Sequence, residues 1–377
     1  MQLINQHILV TGANGFIGKN LLIRLKEIPN TTITCFVRGD DLLSLKLMVK
    51  NADLVIHLAG ENRPEREVDF EEGNVNLTVA LCNAIHHEFK ATGRHVPLVF
   101  TSSTQANLNN PYGRSKAAAE NAIQYLAQNT GNPSIVIRLP GVFGKWCKPN
   151  YNSVVATFCY NIARELPIQI NDPKVSLPLV YIDDVISSIL SSIETLPKGF
   201  KQLKIRPEYS ITIGELGKVI RNFANLRNTL MVERVGTDLV RALYATYISY
   251  LPTSEFSYKV PKYVDSRGVF VEMLKTLDSG QFSYFTANPG VTRGGHYHHT
   301  KTEKFLVIKG DALFRFRHIF SNEIFEIQTS ESMPQIVDTI PGWAHEITNI
   351  GENEMVVILW ANENFERTRP DTVACKV

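Results

Sequence analysis

The sequence is poor in cysteine, in excess charge of either sign and in long apolar runs. Its five cysteines are odd in number and scattered without a CxxC pair, so a disulfide framework is not expected. A formal net charge of +2 provides no broad basic surface for a nucleic-acid backbone. No apolar run reaches the ~20 residues that a membrane-spanning helix needs, and the first residues do not resemble a secretion signal. We therefore expect a cytoplasmic protein that acts on a small molecule, without nucleic-acid or membrane partners.

Two domains are expected, because 377 residues exceed the ~250–300 at which a single core stops growing. Up to about residue 240 apolar strands alternate with helices, which is typical of a doubly wound parallel sheet. After about residue 258 the pattern changes to short β-branched and aromatic strands separated by turns, which is typical of an all-β sandwich or barrel. The predicted boundaries are 1–243 for a Rossmann-type α/β domain, 244–257 for a linker and 258–377 for an all-β domain.

A glycine-rich turn follows the first predicted strand. The stretch "ILVTGANGFIGKNLL" places Gly12, Gly15 and Gly18 between that strand and a helix, so a pyrophosphate could approach the helix N-terminus closely. At the end of the second strand, "TCFVRGD" offers Arg38 where NAD-binding proteins usually have an acid. Arg38 suits the 2′-phosphate of NADPH. The alternative is a solvated Arg38, with Asp40 bound to the ribose.

The stretch "NNPYGRSK" carries a Tyr-x-x-x-Lys pair, Tyr112 and Lys116, on one face of a predicted helix. A lysine ammonium beside the phenol is expected to lower the phenol pKa and make tyrosine usable as an acid or base. Upstream, "VFTSSTQ" ends a strand with Ser102 and Ser103, whose hydroxyls could bond a substrate carbonyl.

Together these motifs resemble the extended short-chain dehydrogenase/reductase family, as do "HLAG" at 57–60 and Asn74. The resemblance implies that Tyr112 protonates the alkoxide formed by hydride transfer, that Ser103 polarises the carbonyl, and that Lys116 also holds the nicotinamide ribose. Only eight residues separate Ser103 from Tyr112, fewer than nucleotide-sugar epimerases of this family usually have, so the loop that would cover the sugar is short. The implied cofactor-binding residues are Gly12, Asn14, Gly15, Phe16, Ile17, Gly18, Arg38, Leu58, Ala59 and Lys116.

The C-terminal region contains a histidine cluster in "GVTRGGHYHHTKTEKFLVIKG" and a further histidine in "PGWAHEITN". His296 and His298 are two apart and should face the same side of a strand, while Glu303 and His345 could close a cage around an ion. Three imidazoles and a carboxylate suit zinc, with iron, nickel or manganese as alternatives.

The spacing of this cluster resembles the two motifs of the cupin superfamily of jelly-roll barrels, although Pro341 directly precedes Gly342 where the motif has it two residues before. A competing resemblance links "VDSRGVFVEML" and "TRGGHYHH" to metal-independent 3,5-epimerases of 4-keto-6-deoxyhexoses. In those enzymes the residue matching His296 is the base that removes a proton next to a ketone. His296 is therefore either a metal ligand or a catalytic base, and a metal could be catalytic or purely structural.

Over essentially its whole length, including "GKWCKPNYNSVVATFCYNIARELPIQIND", the sequence resembles the CapF/WbjC-type family of bacterial capsule and O-antigen synthesis. This resemblance implies a homodimer that epimerises C3 of a UDP-2-acetamido-2,6-dideoxy-4-hexulose in the cupin domain and then reduces C4 with NADPH. The implied product is UDP-2-acetamido-2,6-dideoxy-L-talose, a precursor of UDP-N-acetyl-L-fucosamine.

Two alternative functions stay open. One is an NAD-dependent nucleotide-sugar 4-epimerase or dehydratase with a purely structural cupin, which would show no net consumption of cofactor. The other is a sugar-sensing or scaffolding protein on a retired reductase fold. The presence of both Tyr112 and Lys116 argues against the second.

Overall fold

The computed structural model describes residues 6–366, 368 and 370–377, and the chain forms two compact units. The α/β unit comprises the residues up to Ile220 together with Ala242–Leu251, and the β unit comprises Arg221–Arg241 and Pro252–Val377. Among the helices of these described residues, none is both long and apolar enough to cross a membrane.

Parallel strands form the centre of the α/β unit. The strands are β1 His7–Thr11, β2 Thr32–Phe36, β3 Leu54–His57, β4 Leu98–Ser103, β5 Ser134–Leu139, β6 Gly141–Phe143, β7 Ser176–Tyr181, β8 Phe200–Lys204 and β9 Tyr209–Thr212. The main sheet has six parallel strands in the order β2-β1-β3-β4-β5-β8, and β6, β7 and β9 form a small second sheet. The strand order reverses between β1 and β3, which is where such sheets bind ligands at the carboxyl ends of their strands.

Helices connect these strands, and two of them cross the boundary between the units. The helices are α1 Phe16–Lys26, α2 Leu42–Asn51, α3 Val68–Phe70, α4 Leu77–Thr92, α5 Pro111–Thr130, α6 Val154–Ile162, α7 Ile182–Glu194, α8 Ile213–Thr229 and α9 Asp238–Ser249. A π-helical segment, Glu71–Asn76, joins α3 to α4. All four residues of β3 are buried, as a strand with both faces covered requires.

One expected strand is divided in two. The stretch "SIVIRLPGVFG" reads as a single apolar strand, but β5 ends at Leu139 and β6 begins at Gly141 in the other sheet. Pro140 lies at the break. The strand ends there because proline has no backbone N–H to donate to a sheet.

The β unit is built almost entirely from antiparallel strands. They are β10 Met231–Val232, β11 Lys262–Asp265, β12 Gly268–Thr276, β13 Gln281–Ala287, β14 Thr292–Tyr297, β15 Glu303–Lys309, β16 Asp311–His318, β17 Ile324–Ser330, β18 Ile336–Asp338, β19 Trp343–Asn349, β20 Met355–Ala361 and β21 Val373–Ala374. One sheet has the order β10-β12-β13-β20-β15-β18 with β11 on β12, and the other has the order β17-β16-β19-β14-β21.

The two β sheets share one apolar core. Phe285 and Phe305 from the first sheet and Phe314 from the second belong to the same buried cluster. In β16 buried and partly exposed residues alternate, as expected for a strand with one face on the core. The prediction of a Rossmann-type parallel sheet followed by an antiparallel all-β region is confirmed.

Candidate active sites

The glycine-rich turn of the α/β unit lies between β1 and α1. Gly12 has a left-handed φ of +72°, and a Cβ there would lie 2.5 Å from the backbone N of Ala59. The segment after β3 is held against the same turn, since Leu58 N donates to Thr11 O at 3.1 Å. The predicted cofactor-binding residues of these two segments therefore meet at the carboxyl ends of β1 and β3.

α1 begins at Phe16 with no side-chain cap, and its first turn has no acidic residue. The free N–H groups of a helix N-terminus attract phosphate, so this end of α1 suits a pyrophosphate. Gly18 packs against the turn, and a Cβ there would collide with the backbone oxygens of Gly12 and Ala13.

Arg38 follows β2, with its side chain 88% exposed, and forms an ion pair with Glu61. Asp40 is engaged in its own turn, because its carboxylate accepts a hydrogen bond from Val37 N at 2.8 Å. This arrangement leaves Arg38 as the cation at the end of β2. Glu61 was not singled out from the sequence, because nothing in the local pattern indicates its contact with Arg38.

Ser103 ends β4, and Tyr112 and Lys116 lie one turn apart at the start of α5. Asn110 caps α5 by accepting from Gly113 N at 2.7 Å. Tyr112 forms a hydrogen bond with Ser103. Lys116 is buried and donates to Thr101 O at 2.9 Å.

The pKa of the phenol differs from the sequence expectation. Burial raises the pKa of Tyr112, and the hydrogen bond with Ser103 only partly opposes this. Burial also lowers the pKa of Lys116 to about 8, against the attraction of Glu120. The expected lowering of the Tyr112 pKa by Lys116 is therefore wrong for this structure. A buried, protonated phenol is suited to donate a proton.

Asn74 connects the segment after β3 to the helix that carries Tyr112. Its side chain accepts from Glu61 N and donates to Glu61 O, both at 2.9 Å, and it also donates to Ser115 Oγ at 2.9 Å. Ser115 Oγ in turn donates to Tyr112 O at 2.8 Å. The ring of Phe70 lies 5.7 Å from that of Tyr112. These contacts fix the position of the tyrosine relative to the predicted cofactor segment.

The second site lies in the β unit, where β14 and β19 pair with His296 opposite His345. The register shifts between Gly294 and His296. Gly294 has a φ of +98°, and a Cβ there would lie 2.7 Å from His345 O, so the close approach of the two strands requires glycine. His298 follows β14, and Glu303 is the first residue of β15.

The four predicted metal ligands form one cluster, with a ligand atom from each of them within 4.8 Å of the others. Glu303 Oε2 lies 3.4 Å from His298 Nε2 and 3.5 Å from His345 Nε2, contacts that are long for hydrogen bonds. Glu303, His298 and His345 are buried, and His296 is partly buried. His299 is exposed, as its place in the strand alternation predicts.

The donor set fits a divalent metal. His298 Nε2 and both ring nitrogens of His345 are buried without a hydrogen-bond partner, which is costly unless another ligand is bound. Ligand atoms 2.0–2.2 Å from a tetrahedral zinc ion are about 3.3–3.6 Å apart. A separation at the 4.8 Å limit of this cluster would therefore contract by roughly 1.3 Å on binding. Neutral imidazole nitrogens and a carboxylate are suitable ligands for zinc.

The surroundings of the cluster keep Glu303 ionised and His296 neutral, which are the protonation states that bind a metal ion. Burial would raise the pKa of Glu303, but the contacts with His298 and His345 and the charge of Lys301 hold it far below its usual range. Lys301 Nζ lies 2.6 Å from Glu303 Oε1, so the other carboxylate oxygen faces the histidines. Burial, followed by the neighbouring His345, lowers the pKa of His296 to about 4, so this imidazole is neutral at pH 7.

His296 and Glu303 line two adjoining cavities of about 200 and 470 Å³. Arg293 lines both cavities and donates to Thr286 O at 2.9 Å. The larger cavity is also lined by Lys301, which sequence reasoning missed because its contact with Glu303 depends on the fold of the intervening loop. The cluster is thus open to a space that can hold a small molecule.

Two family models match the chain. Residues 8–205 match the NAD dependent epimerase/dehydratase family, and residues 263–373 match the polysaccharide biosynthesis C-terminal domain. The chain is 52% identical over 370 residues to a UDP-2-acetamido-2,6-beta-L-arabino-hexul-4-ose reductase of Pseudomonas aeruginosa, covering 98% of each protein.

Solved structures show the same architecture. The capsular polysaccharide assembling protein CapF from Staphylococcus aureus matches with a TM-score of 0.88 and 40% identity, over 98% of this chain and all of that one. The Bordetella bronchiseptica enzyme WbmF, solved with NAD+, matches 66% of this chain and 93% of its own with a TM-score of 0.55. Its 17% identity supports the fold alone. The predicted resemblance to CapF-type proteins is confirmed.

Proposed function

The chain belongs to the NAD-dependent epimerase/dehydratase family, and we propose that it is a bifunctional enzyme acting on a UDP-linked 4-keto-6-deoxy amino sugar. The β unit would epimerise C3 of a UDP-2-acetamido-2,6-dideoxy-4-hexulose, and the α/β unit would then reduce C4 with NADPH. The product would be UDP-2-acetamido-2,6-dideoxy-L-talose, on the route to UDP-N-acetyl-L-fucosamine for a bacterial capsule or O-antigen.

The observation that carries the reductase assignment is the hydrogen bond between Ser103 and Tyr112, with the buried Lys116 one helical turn after Tyr112 on α5. A bound nicotinamide would supply the hydride. Ser103 would polarise the C4 carbonyl, and the phenol of Tyr112, which is protonated at neutral pH, would donate a proton to the alkoxide oxygen. Lys116 would place a positive charge beside the phenol as it loses its proton.

The epimerase assignment rests on the cavity around His296 and Glu303. The residues that would hold a divalent ion, most suitably zinc, are His296, His298, Glu303 and His345. Bound there, such an ion would act as a Lewis acid for the substrate oxygen that takes up charge when C3 loses its proton. We assign His296 to the metal because its ring lies 4.6 Å from that of His345. A coordinated His296 cannot also be the base, so the C3 proton would pass to another polar side chain of the larger cavity.

The product of the purified protein tests this function. Incubation with the UDP-linked 4-keto sugar and NADPH should give one NADPH oxidised per sugar and the talo product by NMR. If the keto sugar is converted with no net oxidation of NADPH, the assignment fails, and the 4-epimerase or dehydratase with a structural β unit replaces it.

Arg38→Ala is expected to reduce the preference for NADPH over NADH by about tenfold. A charge-assisted bond to the 2′-phosphate contributes ~1.5–3 kcal/mol, and the exposure of Arg38 places its effect at the lower end. The measurement is kcat/KM for each cofactor. Arg24→Ala, which removes an exposed, ion-paired arginine from α1, should leave the ratio unchanged. Equal use of both cofactors by the unaltered protein would contradict the role of Arg38.

A further inference from the structure

The last residues of the chain lie beside the strand that carries His296. β21 pairs with β14, and Ala374 is opposite His296. Cys375 N donates to Gly295 O at 2.9 Å. Residues 371–376, which we name the C-terminal strap, therefore extend the sheet directly next to the histidine cluster.

The carboxylate at the start of the strap holds the loop that leads from one predicted metal ligand to the next. Asp371 Oδ1 accepts from His299 N at 2.9 Å, and Oδ2 accepts from the N–H groups of Thr300 and Lys301, each at 2.8 Å. Thr300 Oγ1 adds a further bond at 3.1 Å. Desolvation would raise the pKa of this carboxyl, but these donors hold it well below its usual range, so it is ionised. One side chain thus fixes three consecutive residues of the loop.

The backbone of Asp371 also acts on a ligand directly. Its carbonyl oxygen is hydrogen-bonded to Nδ1 of the buried His298. A carbonyl only accepts, so Nδ1 must carry the ring proton, and Nε2 is left as the nitrogen with a free lone pair. That nitrogen faces Glu303 within the cluster. Such outer contacts set the tautomer and orientation of metal-binding histidines.

The far end of the strap is anchored independently. Arg317 on β16 donates through Nε to Lys376 O at 3.0 Å and through Nη2 to Cys375 Sγ at 3.0 Å. The strap is therefore fixed at both ends, by Asp371 at the loop and by Arg317 on the neighbouring part of the sheet.

We propose that the C-terminal strap sets the metal affinity of the β unit, with Asp371 as the positioning residue that holds His298 ready to bind. The inference rests on the proposed metal site and adds to it a residue about 70 positions further along the chain. If the strap only stabilised the sheet, removing its contacts would lower the stability of the metal-free protein. If the strap positions His298, removing its contacts raises the dissociation constant for the metal.

The test uses the full-length protein and zinc alone. Asp371→Ala should weaken zinc binding 10- to 100-fold, measured by competition with a chromogenic chelator, because outer contacts of metal ligands typically contribute this much. Asp371→Asn keeps an oxygen acceptor and should recover part of the affinity. In the cobalt-substituted protein, Asp371→Ala should also shift the visible ligand-field bands. Glu331→Ala, which removes a carboxylate that accepts from Gly310 N in another turn, should stay within about twofold of the unaltered protein.

Arg317→Ala provides a second route should Asp371→Ala not fold, since it releases only the far end of the strap, and it should weaken zinc binding in the same direction. If the unaltered protein binds zinc and both variants bind it equally well, the strap has no role in metal affinity and this inference is overturned while the metal site stands. If the unaltered protein itself binds no divalent ion, the metal site and the strap inference both fail.

Discussion

Tyr112→Phe is expected to lower NADPH-dependent reduction by 10²- to 10⁴-fold while C3 of the keto sugar continues to exchange with solvent deuterium. The variant keeps the ring that contacts Phe70 but loses the hydroxyl that bonds Ser103 and that, in the proposed mechanism, donates the proton at C4. Loss of a positioned general acid typically costs this much in rate. NADPH absorbance follows the reduction, and NMR in heavy water follows the exchange.

Tyr125→Phe is the matched control, because Tyr125 lies on the same helix and is 70% exposed. It should change neither activity. Loss of C3 exchange in a folded Tyr112→Phe protein would show that one site performs both steps, and the division of labour between the two units would then be wrong.

The order of the two steps follows from the chemistry at C4. A C3 proton is acidic only while C4 is a ketone, because the carbonyl oxygen takes up the charge of the enolate. Once hydride has reached C4, this acidifying group is gone. Epimerisation must therefore precede reduction. An α/β unit that alone produced the talo sugar at full rate would contradict the order proposed here.

The architecture was predictable because both halves carry strong periodic signals. The buried parallel strands appear as continuous apolar runs, and those of the β unit as short segments separated by turns. The ends of individual strands and the boundary between the domains were harder to predict from the sequence. The break at Pro140 separates two strands that the sequence joins, and choosing between a bent strand and two sheets requires knowledge of the partner strands. The boundary near residues 243–258 stays a prediction.

Candidate residues for both sites could be named from the sequence where a suitable residue type recurs at the spacing of a helix or a strand. Tyr112 and Lys116 lie one turn apart on α5, and His296, His298, Glu303 and His345 form one cluster. Their environment was not predictable. The sequence suggested a lowered pKa for Tyr112, but burial depends on tertiary packing and raises it. The contacts of Asp371 with the histidine loop likewise join residues far apart in the chain, so no local motif could indicate them.

Removing one imidazole from the cluster is expected to remove the metal. The unaltered protein should contain about one divalent ion per chain, most suitably zinc. His345→Ala and His298→Ala should each lose it, with a lower melting temperature of the β unit and no C3 exchange. Ligand binding at a concentration of 100 Kd contributes ~2.7 kcal/mol to stability, so the loss is measurable in a thermal scan. His299→Ala is the matched control, since its ring is exposed outside the cluster.

His296→Ala separates the two roles that the sequence offers this residue. If His296 is a ligand, the variant should lose both the metal and C3 exchange, like His345→Ala, because its donor atom lies with the others within 4.8 Å. If His296 is a free base, the variant should keep a full metal content and lose only the exchange. Elemental analysis of protein purified without added metal distinguishes these results. A complete absence of metal from the unaltered protein would favour the base, since an imidazole can accept a proton only when no ion occupies its nitrogen.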